Sequence, residues 1–134
     1  MLFKSVRECI TLNAMKRDMD LIREILLETE KMPAMEMWTA VPLLGHDLNE
    51  VVAHVELAHE AGLIDARVQL RAPDAVVLRL TNSGYEFLEA SRQKTVWEQA
   101  KHQLTTEGLP LTITTVRVTL QAIIQHQLAK LGIV

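Results

Sequence analysis

Residues 57–88 read LAHEAGLIDARVQLRAPDAVVLRLTNSGYEFL. Gly62 stands where a residue able to adopt positive φ ends a helix. Two short runs with strand alternation follow. In residues 67–71, Val68 and Leu70 point one way and the polar residues the other; in residues 76–80, Val76, Leu78 and Leu80 point inward. Residues 72–75 join them, with Pro73 at the second position of a type I turn. Thr81 or Ser83 then caps a new helix, Ser83 and Glu86 having capping-box spacing, with Tyr85, Phe87 and Leu88 packing inward or nearby. The stretch predicts helix end, antiparallel hairpin and capped helix, in that order.

Upstream, residues 47–61 form an amphipathic helix. Asp47 caps it with Glu50 at capping-box spacing, and Leu48, Val51, Val52, Val55, Ala58 and Ala61 make its apolar stripe. Residues 15–32 form another, with Met19, Ile22, Leu26 and Thr29 on one stripe, widened by Leu21, Ile25 and Leu27, and Pro33 as its stop. Residues 37–41 supply a short strand that pairs with the hairpin. Residues 1–14 are an N-terminal extension in which Leu2, Phe3, Val6 and Ile10 share one side.

Downstream, the helix opened at Thr81 runs to about Arg92, and residues 94–104 continue with Val96, Trp97, Ala100 and Leu104 inward. Residues 107–110, Glu-Gly-Leu-Pro, break the chain. The last helix, about 112–131, carries Val116, Leu120, Ile123, Ile124, Leu128 and Leu131, with only Arg117 and Lys130 as fixed charges. So apolar a helix needs cover from its own domain or a second copy, and a homodimer is the expectation.

The fold class expected is α+β and mostly helical: a winged helix with a two- or three-stranded wing sheet and extra C-terminal helices. Residues 15–104 make the winged-helix domain and 105–134 a helical arm. One feature departs from that plan. A helix-turn-helix needs two helices and a turn, yet only 16 residues lie between Gly45 and Gly62. The positioning helix is a single turn or is missing.

The wing segment resembles that of many winged-helix regulators. More narrowly, MKRDMDLIREILLETE at 15–30, GHDLNEVVAHVELAHEAGLI at 45–64, LTNSGYEFLEA at 80–90 and TVWEQAK at 95–101 resemble a family of short phage and prophage proteins of unknown function. The resemblance runs from Met15 to about Lys101. It implies a winged-helix fold and a mobile-element origin, and brings no catalytic residues.

Composition narrows the function classes. With 134 residues, 49% apolar and 4% aromatic, the chain supports one domain with an aliphatic core. It lacks both an apolar run of about 18 residues and a signal-peptide pattern, and its single cysteine, Cys9, offers no disulfide. A cytoplasmic protein is expected. The net charge is −3, so nucleic-acid binding demands that positive charge be concentrated on one face. From residue 32 to 66 there is no Lys or Arg, while Glu36, Asp47, Glu50, Glu56, Glu60 and Asp65 fall in that stretch. Conventional recognition-helix binding is therefore doubtful. The positive candidates are Arg67, Arg71 and Arg79 of the wing, then Arg92 and Lys94, with Lys101 following on the next helix.

Two functional expectations follow: a non-enzymatic phage-type regulator holding double-stranded DNA through wing arginines, or a module that binds a host or phage protein. For the second, Trp38, Glu50, His54, Ile123 and Ile124 are the interface candidates. No enzyme signature is present: G-x-S-x-G, G-x-x-x-x-G-K-[ST] and G-x-G-x-x-G are absent. His54 and His59 are five apart and diverge around a helix, so no metal or other cofactor is expected. His54-Val-Glu lacks the downstream cysteines of a zinc deaminase.

Overall fold

A computed structural model describes residues 15–133; the extension at residues 1–14, with Cys9, lies outside them. The order is α1 (Met19–Glu30), β1 (Trp38–Thr39), α2 (Leu48–Glu60), β2 (Ile64–Gln69), β3 (Asp74–Leu80), α3 (Asn82–Ser91), α4 (Lys94–Thr106) and α5 (Ile113–Lys130). The chain is α+β, with five helices and one three-stranded antiparallel sheet among the described residues, in the order β1-β3-β2. No helix among them is long and apolar enough to cross a membrane.

The helical stripes emerge nearly as the spacing predicts. α1 buries Met19, Leu21, Ile22, Ile25, Leu26 and Thr29; α2 buries Val51, Val52, Val55 and Ala58. These faces meet Ile64, Ala75, Val77 and Leu80 of the sheet in one core that Phe87, Leu88 and Trp97 extend toward the C-terminal helices. The core is aliphatic except at its far side, where Trp97 is 1% exposed and Phe87 meets it edge-on at 6.2 Å.

Boundaries depart from expectation where a polar group intervenes. α1 starts at Met19 rather than Met15, because the extended Asp18 caps it with its own carboxylate. Thr81, not Ser83, caps α3 by accepting from the Gly84 N–H. The first strand shrinks to two residues, and it pairs with β3 as Trp38↔Val77 and Thr39↔Val76.

The hairpin also faces differently. β2 begins at Ile64 and ends at Gln69, so Leu70 and Arg71 fall in the turn, where Leu70 is 64% exposed. A bulge follows Asp65: Asp65 pairs with Arg79 and Ala66 with Val77, leaving Leu78 unopposed. That extra residue resets the alternation. Ala75, Val77 and Leu80 are buried, while Val76 and Leu78 are only partly so. Tyr85, expected near the core, is 44% exposed.

No helix separates β1 from α2. A tight turn closes there, with His46 N–H donating to the Leu43 carbonyl at 2.8 Å and Leu44 and Gly45 both at positive φ (50° and 78°). Between β1 and α2 there is neither a full helix nor a single helical turn.

α5 is covered from within the chain. Val116, Leu120 and Ile123 pack against α3 and α4 in the common core. Leu131, expected on the same stripe, is 74% exposed.

One glycine makes the α3–hairpin junction possible. The Leu63 carbonyl accepts from Thr81 N–H at 3.0 Å, drawing the start of α3 against the start of β2. A Cβ on Gly84 would lie 2.0 Å from the Leu63 oxygen. In an ordinary helix Gly→Ala stabilises by roughly 0.5–1 kcal/mol; here the collision is with backbone and reverses the sign. Gly84→Ala should destabilise by about 2–3 kcal/mol, read as a lower urea midpoint. An unchanged midpoint would refute this contact.

Candidate functional site

The densest set of chemistry-bearing side chains gathers at the N-terminal end of α1. Asp18 works through three groups. Its Oδ1 accepts from the Asp20 and Leu21 N–H groups at 2.9 and 3.3 Å, its Oδ2 lies 2.9 Å from His46 Nε2, and its own N–H donates to His54 Nε2 at 2.9 Å. On its other side, His46 Nδ1 lies 2.8 Å from Glu50 Oε2. The imidazole thus stands between two carboxylates. Its pKa is raised above 6.5 by the Glu50 hydrogen bond, against the opposing effect of burial and with further help from Asp18.

His54 has a different role. It is fully buried; Nδ1–H donates to the Glu50 carbonyl at 2.7 Å while Nε2 accepts from Asp18. A backbone N–H can only donate, so Nε2 carries no proton and His54 is neutral.

Two residues along α1, Asp20 accepts from Trp97 Nε1 at 2.6 Å and Lys101 Nζ at 2.7 Å, tying α1 to α4. Lys101 also approaches Glu98 at 3.4 Å and lies 5.5 Å from the centre of the Trp97 ring. Burial pushes the Asp20 carboxyl up, but the Lys101 and Trp97 hydrogen bonds outweigh it and the net shift is downward. Burial likewise works against the charge on Lys101, and Asp20 more than offsets it.

Between these two clusters opens a broad cleft of about 900 Å³, with Lys16 and Arg17 adding positive charge at its edge and His102 also lining it. Each polar side chain of the clusters is already engaged by another. Among the described residues no group of three or more His, Cys, Asp or Glu is placed to hold a metal ion. The arrangement fixes charges and helix ends.

The candidates read from sequence fall elsewhere. Arg79 is held by Asp65 at 2.7 Å. Arg92 grips Glu30 with two bonds, 2.9 and 2.5 Å, and the pair lowers the Glu30 pKa and raises that of Arg92. Arg67, Arg71 and Lys94 are exposed and enter none of the ion pairs among the described residues. The five cations therefore do not form one free set.

The interface candidates also disperse. Trp38 is only partly exposed, its Nε1 donating to Thr29 Oγ1 at 3.0 Å. Ile123 is 6% exposed and Ile124 half-buried. His54 is in the core, and Glu50 is occupied by His46.

Asp18, Asp20 and His46 are the residues that the sequence reading leaves out of the site; Lys101, read there as a possible phosphate contact, is instead taken by Asp20. One signal was available: His46 and Glu50 are four apart at a helix start. The Asp47–Glu50 capping box masks it. Only half of that box forms, with Asp47 accepting from Glu50 N–H, while the Glu50 carboxylate turns to His46.

The class this geometry defines is a compact α+β chain built around a three-stranded sheet and held by a polar node at one helix end. Its residues 16–110 match the family described as "Hypothetical protein (DUF2513)", and the chain belongs to that family. The match covers α1 to α4 and stops before α5. A relative from Haemophilus influenzae, named "Uncharacterized protein", is 34% identical over 119 residues, covering 86% of this chain and 100% of its own length. No solved structure matches the chain.

Asp20 gives a pH prediction. A carboxyl whose folded pKa is depressed adds stability that is present above its ordinary 3.8 and is lost as pH falls through the folded value. Asp20→Asn should lower stability at neutral pH and flatten the loss on acidification below 3.8, measured by urea unfolding with tryptophan fluorescence. Parallel pH profiles for both proteins would show that Asp20 adds nothing.

Proposed function

We propose that this chain is a non-enzymatic winged-helix module that acts by gripping a protein partner with a basic surface, rather than by reading DNA. The winged-helix reading is supported by the sequence of elements: α1, β1, α2, then the β2–β3 hairpin, with β1 against β3. On this reading the Leu43–His46 turn replaces a positioning helix and α2 corresponds to the recognition helix. The phage-like sequence motifs support a mobile-element origin, and a cytoplasmic setting completes the proposal.

The observation that carries the choice of partner is the charge of α2. Its solvent side bears Glu56, His59 and Glu60, partly or fully exposed, and the chain has no Lys or Arg from residue 32 to 66. DNA presents about one negative charge per 1.7 Å of axis, so this helix is repelled by a groove and attracted by a basic protein. A phage-type transcription regulator contacting duplex DNA is the second reading, favoured by Arg67 and Arg71, exposed near the hairpin tip. A homodimer draws less support, since Val116, Leu120 and Ile123 already lie in the chain's own core.

Titration of a labelled duplex at low salt separates the two. The expected result is no saturable binding, with in-cell crosslinks to a partner protein mapping to α2 and disappearing in Glu56→Lys/Glu60→Lys. Duplex binding that weakens steeply with salt, with a slope reduced in Arg67→Ala/Arg71→Ala, would replace the first reading by the second.

A further inference from the structure

We propose that His46 is a proton-operated latch: doubly protonated, it ties the Leu43–His46 turn to the starts of both α1 and α2, and on losing a proton it releases Glu50. The geometry requires the proton. Both ring nitrogens lie within 2.9 Å of a carboxylate oxygen. A carboxylate only accepts, so both bonds exist together only when both nitrogens carry hydrogen. A neutral ring keeps one N–H and sets its bare nitrogen against the other carboxylate.

Which bond breaks is decided by freedom to move. Asp18 cannot withdraw: its second oxygen caps α1 and its N–H is held by His54. Glu50 is 40% exposed on a flexible stem and its carboxylate turns to water. The turn so loosened is under tension, because Leu44 occupies the left-handed region at φ 50°, which disfavours residues with a Cβ.

The groups that face His46 are engaged elsewhere or lie farther off than its two carboxylates. His54, with its ring centre 6.0 Å away, is neutral by its hydrogen bonds, and Asp47 caps α2. Across the cleft, Asp20 and Glu98 are engaged by Lys101. Lys16, Arg17 and His102 line the cleft edge, while the groups that act on His46 are its own burial and the two carboxylates in direct contact, which outweigh it. The latch is therefore closed below 6.5, the ordinary histidine value, and opens as pH rises through a higher folded midpoint. Opening leaves one uncompensated negative charge on the cleft wall.

Ring-carbon NMR titration of His46, with the Leu44 and Gly45 amides followed in the same samples, tests this. Glu50→Gln and Asp18→Asn are nearly isosteric, and Asn caps helices as well as Asp, so the fold persists in both. The expected midpoint exceeds 6.5 in the parent protein, the two amides move with it, and each variant lowers it by about one unit. A parent midpoint at or below 6.5, or Leu44 and Gly45 amides that do not follow the ring, overturns the proposal.

Discussion

The start of α1 is the constraint on which the remaining architecture hangs. Helix N-termini leave N–H groups without intrahelical partners, and Asp18 satisfies two of them. Spending that carboxylate there fixes its other oxygen beside His46 and its backbone N–H beside His54, so the helix end also becomes the anchor for α2 and the turn before it. Two residues later, Asp20 takes Trp97 and Lys101 and fixes α4. The aliphatic core is non-directional, and apolar burial alone would tolerate sliding of α1 along its neighbours. These hydrogen bonds supply the register.

The fold was readable wherever the pattern was local and periodic. The α1 and α2 stripes, the hairpin, the Pro33 stop and the break before α5 all follow from spacing and turn chemistry. The inward set of β3 was not readable, because the bulge that leaves Leu78 unopposed is a property of two strands together. Tyr85 and Leu70 carry apolar labels that no local rule assigns to solvent. The polar node was less legible still. Asp18 and His46 are 28 positions apart, Asp20 and Lys101 81 apart, and no period joins them. Gly84 belongs to the same class: its need for no side chain arises from a carbonyl 21 positions earlier, at Leu63.

Charge patterning was visible in sequence as a total and misleading as a map. Arg79 and Arg92 read as free cations until the fold brings Asp65 and Glu30 against them. Exposed ion pairs of this kind add little stability; their effect is to remove positive potential from the surface. The acidic face of α2 has no such compensation within the stretch from residue 32 to 66. What neutralisation leaves behind, rather than the raw composition, sets which partners the surface can attract.

The sheet itself has a further consequence. Its outer members are β1, two residues long, and β2, which bears exposed Arg67 and Gln69 and runs against a bulge in β3 at Leu78. Unpaired backbone along an outer strand is a template for fibre growth, and short length, charge and local kinking are the features that block it. Both rims here carry such features, which oppose strand-to-strand polymerisation.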